Sequence, residues 1–460
     1  MLSMMNNNTV NILISNLEAH LWGPVMLILL LGTGLFLTVR LRFIPIIKLL
    51  YAIGLIFRPV ELFSDPKKKA HHGISDFAAL MTSLSATIGT GSIVGVSTAL
   101  ELGGPGVLLW MWLTALVGLA TKYAEGILAV KYRIVGKHGE LRGGPMYYLH
   151  HGLQQKWLAV LFAFFAAFAA FGTGSSVQAN TIAIMLEQSW HIDVRLTGFL
   201  LTILTAAVIC GGLRSISKVT VVLMPVMMIF YVGSALIILA VHHSMLINTL
   251  TLIFHDAFSG QAIAGGVVGR VIQHGISRGL FSNEAGMGSA PIVAAAAKTD
   301  HPARQGFIAM TGVFFSTMLM CTLTGLVLVV GMQLYHFPIH MSGAILVNAT
   351  FEQLLPGFGF WMVAVTIIVA AYTTIIGWYY YGEKSAQYLF GYRILKPYRA
   401  VYTMSVMVGA VLSLEVVWSL SNIFNALMAI PNLIALVLLS GVVVKETNDF
   451  FIQREKGLLP

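Results

Sequence analysis

The residues best equipped for chemistry in this chain are a polar triplet, Ser282-Asn283-Glu284, set among Gly279, Gly286 and Gly288. The triplet interrupts a largely uncharged run from about Gln261 to Ala297, long enough to cross a bilayer. An unpaired backbone N–H or C=O in hydrocarbon is costly, so broken helix at membrane depth survives only where it lines a cavity. A loop between two shorter helices is the plain alternative. An intramembrane carboxylate combined with helix interruptions instead marks a site. A second interruption, Ile88-Gly89-Thr90-Gly91-Ser92, lies in another apolar run. Glycines also pack membrane helices (Gly265 with Gly269, Gly275 with Gly279), so either break alone would say little.

Two such breaks offer complementary poles. A half-helix beginning near Thr90 points free N–H groups and a positive dipole end into the gap, suited to a carboxylate. A half-helix ending near Phe281 presents carbonyls, suited to an ammonium group or Na⁺. A zwitterionic amino acid meets both requirements. It does so without ionised side chains, each of which costs about 2.5–3.5 kcal/mol at the bilayer centre. Other polar groups lie at similar depth. Thr173, Ser175, Ser176, Gln178 and Asn180 interrupt a Phe-Ala run; most such residues back-bond or pack, and Gln178 is either a ligand or an interhelical hydrogen-bonding group. Thr374 and Trp378 are four residues apart and share one helical face. Hydroxyls of Thr373 and Thr374 could serve Na⁺, while Trp378 walls off side-chain space or anchors the membrane interface.

The elements that must position these residues follow from composition. Of 460 residues, 57% are hydrophobic and 10% charged, against about 25% charged in ordinary soluble domains. Mean hydropathy of +0.83 and repeated long apolar runs indicate an all-α polytopic membrane protein. Eleven spans are expected, near 21–39, 76–101, 104–131, 157–187, 196–212, 219–241, 262–298, 304–332, 358–382, 400–420 and 422–444. This divides the chain into an N-terminal span and basic connector (1–75), five spans (76–241), an interfacial connector (242–261), five more (262–445) and a tail (446–460). Five-span units are odd-numbered, so the second would enter the membrane inverted, with the two breaks at corresponding places.

The net charge of +9 does not describe a nucleic-acid face, because the basic residues cluster at span ends. Alternate connectors hold seven from Arg40 to Lys69, five from Lys131 to Lys156, then Arg214 with Lys218, Lys298 with Arg304, four from Lys384 to Arg399, and three from Lys445 onward. Only Lys122, Arg195, Arg270 and Arg278 lie elsewhere. That asymmetry places the N-terminus outside and the C-terminus in the cytoplasm. The polar first twenty residues have neither a basic n-region nor a cleavage site, so the first span is expected to be retained.

Other chemistries find little support. Cys210 and Cys321 sit in apolar runs, which predicts no disulfide. His71-His72, His150-His151 and His242-His243 are adjacent pairs rather than helix-face pairs, and no zinc spacing occurs. No Walker lysine accompanies the glycines, so ATP-driven pumping is unsupported. Pro66-Lys67-Lys68-Lys69 is a charge run that could touch anionic lipid. Lys122 and Glu125 read as a structural salt bridge or a gate. An intramembrane enzyme would need a nucleophile with a base; Ser282 beside Glu284 is the sole candidate and has no neighbouring histidine. A passive channel would not require paired breaks.

The runs GTGSIVGVSTALELGGPGVLLWMWLTALVGLATKYAE, RGGPMYYL, GLFSNEAGMGSAP with AAAAKT, TTIIGWYYYGEK and NALMAIPNLIAL resemble the sodium:alanine (alanine or glycine:cation) symporter family, from about Asp76 to Lys445. The resemblance implies a five-plus-five inverted-repeat fold of the leucine-transporter type with one extra N-terminal helix, in the cell inner (plasma) membrane. It implies inward transport of a small neutral amino acid, alanine or glycine, with Na⁺ and occasionally H⁺. Membrane lipid would surround it, with no nucleic acid and no obligate protein partner. Residue by residue, Thr90 and Gly91 would receive the substrate carboxylate, and Gln178 would contact the amino acid. Phe281, Ser282 and Asn283 would form the second break, with Gly286 keeping backbone close to the ligand. Gly89, Thr373 and Thr374 would hold Na⁺, and Trp378 would cap the pocket. Two positions depart from the family pattern: Ser92 stands where Asn is usual, and Asn422 where Asp is frequent. Glu284 fits the pattern but is expected to pair with Arg278 or cap a half-helix, not to bind Na⁺.

Overall fold

Apolar periodicity and capping residues set out a chain that is almost entirely helical. The computed structural model describes residues 13–58, 73–258, 267–337, 341, 343–412 and 415–459. The Pro66–Lys69 run, His71-His72 and the start of the span expected from residue 262 lie outside the described residues. The principal helices are α1 (Leu13–Arg40), α2 (Asp76–Thr87), α3 (Val94–Gly103), α4 (Val107–Lys131), α5 (Lys156–Trp190), α6 (Val194–Cys210), α7 (Gly212–Val241) and α8 (Leu246–Ala257). They continue with α9 (Val267–Asn283), α10 (Pro302–Leu334), α11 (Gly343–Leu354), α12 (Gly359–Phe390), α13 (Leu395–Val411), α14 (Glu415–Leu438) and α15 (Ser440–Glu455).

Seven of the described helices are long and apolar enough to cross a membrane: α1, α4, α5, α7, α10, α12 and α14, the last over Val417–Leu438. Several leave apolar faces uncovered. On α7, Val222, Val226, Ile229 and Phe230 are exposed at helical spacing, while Met224, Met227 and Tyr231 are buried. A stripe of that kind in water would be an aggregation surface; against lipid it is the ordinary outer face. The chain is thus a polytopic helical membrane protein.

The helices start where the sequence supplies caps. Ser75 Oγ accepts the Ala78 N–H at 3.2 Å at the head of α2, and Asp193 accepts the Arg195 N–H at 2.7 Å at the head of α6. Pro302 occupies the first turn of α10, where its missing N–H costs nothing. Glycines in the left-handed region, Gly104 (φ 76°) and Gly391 (φ 73°), end α3 and α12.

The core is built around α2, α4, α9 and α12. Helix α10 packs along α4, α9 crosses both α4 and α3, and α12 runs against α2, α5 and α7. Two contacts tie the entrance of the first break to the exit of the second. Ile74 and Ala297 form an isolated parallel bridge, with the Ile74 N–H donating to the Ala296 carbonyl at 3.0 Å. Arg304, 1% exposed, reaches Asp76 (3.3 Å), Asp300 (3.2 Å) and the Arg58 carbonyl (2.7 Å). A buried guanidinium needs such multiple partners, because its desolvation is otherwise uncompensated.

Several elements differ from the sequence reading. Helix α9 stops at Asn283, at the interruption expected around Ser282–Glu284, but beyond it only the turn Pro291–Ala294 is helical, where the span was expected to run on to residue 298. Glu284 (φ 52°), Gly286 (φ 88°) and Gly288 (φ 80°) explain this, since left-handed residues so closely spaced cannot propagate a right-handed helix. The connector after residue 333 contains α11, and the expected tail is largely α15. A short hairpin, Ile134–Val135 with Leu141–Arg142, lies between α4 and α5. Both cysteines are free.

Candidate functional site

The first break is a true interruption. After Thr87, Ile88 (φ −85°, ψ 73°) and Gly89 (φ −107°, ψ −148°) leave helical geometry; a single tight turn, Thr90–Ser92, follows before α3 begins. Gly89 is required by contact more than by backbone. A Cβ there would stand 2.6 Å from Thr374 Oγ1 and 3.6 Å from Gln178 Oε1. Thr374, on α12, donates to the carbonyls of Ser85 and Ala370, each at 2.9 Å, so its hydroxyl sits against the last turn of α2.

Between this break and α5, α9, α12 and α14 lies a cavity of about 220 Å³. Gly89, Thr90 and Gly91 line one side, Gln178 and Thr173 a second, Phe281 with Arg278 and Glu284 a third, and Thr374 with Trp378 a fourth. Thr90 Oγ1 donates to Gln178 Oε1 at 3.3 Å, and Gln178 Nε2 donates to the Thr173 carbonyl at 3.1 Å. That carbonyl is available because α5 widens into a π-helical stretch over Ala170–Ser176, a distortion common at functional sites. The same stretch places Gly174 beneath Trp378, where a Cβ would fall 2.2 Å from the tryptophan Cβ. Trp378 is 1% exposed and meets Tyr381 edge-on at 5.6 Å. A wider cavity of about 510 Å³ adjoins through Val94 and Trp418.

Four of the sequence-predicted residues stand behind the wall instead of lining the cavity. Ser282 Oγ lies 3.1 Å from Ser92 Oγ and 2.9 Å from Cys321 Sγ, so it latches the two breaks together. Ser92 serves here as a short link between breaks. Asn283 Oδ1 accepts the Ala285 N–H at 2.9 Å and shapes the turn. Gly286 faces Leu30 and Leu433, not the cavity. Thr373 turns toward α7, with its hydroxyl 3.4 Å from Met224 Sδ and 3.0 Å from the Ala370 carbonyl.

Lys122 and Glu125 do not form the salt bridge that the sequence suggested. Glu125 Oε1 accepts the N–H groups of Gly286 and Gly288, both at 3.1 Å, and Asn432 Nδ2 at 2.7 Å. It thereby satisfies backbone donors that the second break strands in a buried environment. Lys122 Nζ has no hydrogen-bond partner among the described residues, yet its charge acts on both Glu125 and Glu284. Glu284 accepts the Ser289 hydroxyl at 2.5 Å and does not ion-pair with Arg278 among the described residues. Sequence reasoning singled out Glu284 at the second break and read Glu125 as part of a salt bridge or gate, but gave neither Arg278 nor Glu284 a place on the cavity wall. Their signal was present, since ionisable residues inside apolar runs are rare and usually functional.

The profile of the sodium:alanine symporter family matches residues 7–460. The chain belongs to the sodium:alanine symporter family. Among its relatives are the sodium/alanine symporter AgcS of Methanococcus maripaludis, 49% identical over 443 residues (95% of this chain, 96% of the relative), and an uncharacterized transporter of Haemophilus influenzae, 46% identical over 450 residues (96% of each). A probable sodium/glutamine symporter, GlnT of Bacillus subtilis, is 35% identical over 447 residues (96% of this chain, 90% of the relative). Membership of the sodium:alanine symporter family makes the chain a transporter and not an enzyme.

Proposed function

We propose that this protein is a secondary active symporter that imports a small neutral amino acid, alanine or glycine, with Na⁺ by alternating access. The observation that carries the reading is the 220 Å³ cavity at the first helix break, lined by Gly89, Thr90 and Gly91 of the break with a glutamine, a phenylalanine and a tryptophan. In this reading the substrate carboxylate meets the N–H groups of Thr90 and Gly91 at the start of the inner half-helix. Gln178 orients the amino acid, Phe281 covers it, and Trp378 limits side-chain size. Na⁺ sits by the Gly89 carbonyl and the Thr374 hydroxyl, a hard-oxygen setting suited to that ion. Ser282, Asn283, Gly286 and Thr373 hold the surrounding frame.

The proposal includes eleven spans in a five-plus-five inverted repeat (76–241 and 262–445) preceded by one extra helix, in the cell inner membrane, with the N-terminus outside. What supports the repeat is that α2–α3 and α9 with its following turn are both interrupted and lie side by side. A proton could replace Na⁺ as the coupling ion. Uptake of labelled alanine, glycine, serine, glutamine and leucine into proteoliposomes, with Na⁺ and pH gradients imposed separately, tests the proposal. Na⁺-driven accumulation of alanine or glycine is the expected result; accumulation unaffected by either gradient overturns it.

A further inference from the structure

We propose that the extra N-terminal helix completes a second amino-acid site, a loading chamber separated from the central cavity by a wall of three side chains. This rests on the amino-acid symport reading above. A cavity of about 210 Å³ opens between the first turns of α1 and the flank of α9, with Glu18 and Trp22 on one side and Arg278 on the other. Its inner wall is Arg278, Phe281 and Asn422, and the same three residues also line the central cavity. One partition therefore serves both chambers.

The chemistry of the chamber is that of a zwitterion. The Glu18 charge acts on Arg278 across it, yet no ion pair joins them among the described residues. A carboxylate on one wall and a guanidinium on the opposite wall match the ammonium and carboxylate of an α-amino acid, the guanidinium by its planar fork. Leaving two charges of opposite sign apart in a partly buried place is costly unless something between them completes the circuit. The carboxylate is held in position: Asn422 Nδ2 donates to Glu18 Oε1 at 2.6 Å, and the Trp22 indole N–H donates to the Asn422 carbonyl at 2.9 Å. Trp22 also meets Phe281 edge-on, with ring centroids 6.3 Å apart. Helix α1 thus touches the partition through both Asn422 and Phe281. The helix is interrupted at Trp22–Gly23, where a Cβ on Gly23 would lie 2.9 Å from the His20 carbonyl.

Equilibrium binding of labelled alanine to the full chain in lipid nanodiscs, at saturating Na⁺, tests the loading site. Two alanines per protein are expected for the wild type. Glu18→Gln keeps an acceptor for Asn422 while removing the charge, and should bind one; Arg278→Lys, which loses the fork, should weaken the same site about tenfold. Gln178→Ala should lose the other site and keep this one. A wild type that binds a single alanine, lost in Gln178→Ala and kept in Glu18→Gln, overturns the loading site and leaves the symport reading standing. A latch between Glu18 and Arg278 would change uptake rate with one alanine bound, which also overturns it. No binding of alanine or glycine by the wild type overturns both.

Discussion

Replacing Gly89 by alanine probes the ion site through a single contact. The φ there (−107°) is negative, so alanine needs no left-handed conformation, and the new methyl would lie 2.6 Å from Thr374 Oγ1. The hydroxyl must swing away from Ser85, forfeiting a bond of 2.9 Å, because the alternative is to displace the break itself. Leaving a buried polar group unpaired costs about 1–3 kcal/mol, or about 5- to 150-fold in an equilibrium constant. If Thr374 Oγ1 ligates Na⁺, that factor should appear in the Na⁺ concentration for half-maximal alanine uptake. Thr374→Ala alone should raise it similarly. The double variant is decisive: the next atom in the methyl's path is Thr374 Cβ at 3.5 Å, an ordinary contact, so removing the hydroxyl also removes the clash. Gly89→Ala/Thr374→Ala should therefore match Thr374→Ala, leaving a coupling term of about 1–3 kcal/mol. Proteoliposome uptake across a Na⁺ series measures all four proteins. Strictly additive losses, or a Na⁺ dependence that none of the variants alters, would refute the reasoning.

Three further outcomes are expected. Trp378→Ala should let leucine and glutamine compete with alanine uptake, whereas Trp378→Phe should not; unaltered competition in Trp378→Ala would remove the ring from the pocket wall. Glu125→Gln removes one of the two carboxylates on which the charge of Lys122, 3% exposed, acts, and weakens the hold on Gly286 and Gly288. Its thermal midpoint in detergent should fall, with a cost of about 1–3 kcal/mol for the weakened bonds to the stranded N–H groups, and Lys122→Met should recover part of the loss; a double variant no more stable than Glu125→Gln would count against the electrostatic coupling. In the hairpin outside the spans, burial alone would raise the Glu140 carboxyl, but hydrogen bonds from Tyr392 and Arg142 outweigh it and hold the group at about 2, below its ordinary 4.5. The stability this carboxylate adds is complete above pH 4.5 and fades as pH falls toward 2, so Glu140→Gln should flatten the pH dependence of melting within that window.

The Glu125 and Lys122 positions show where sequence reading stops. Both were visible as charges in an apolar run, and i,i+3 spacing on a helix made a pair the natural inference. Their actual relation depends on the turn after Asn283, which delivers to Glu125 two stranded N–H groups 161 and 163 residues away in the chain. Likewise the family resemblance put Ser282 in the second break and Gly286 close to the ligand. Which side of a broken helix faces the gap is decided by neighbours, here Ser92, Cys321, Leu30 and Leu433.

Apolar run length and glycine placement alone determined that this chain is a helical membrane protein with interruptions at residues 88–92 and around Ser282–Glu284, because those signals act through local backbone energetics. The family motifs likewise lie in contiguous sequence. Only the tertiary structure decided that Thr374 meets Gly89, that Glu18 of the first helix reaches Asn422 of α14, and that Arg278 borders two cavities. Such contacts join residues far apart in the chain, and no local propensity encodes which faces of packed helices will meet.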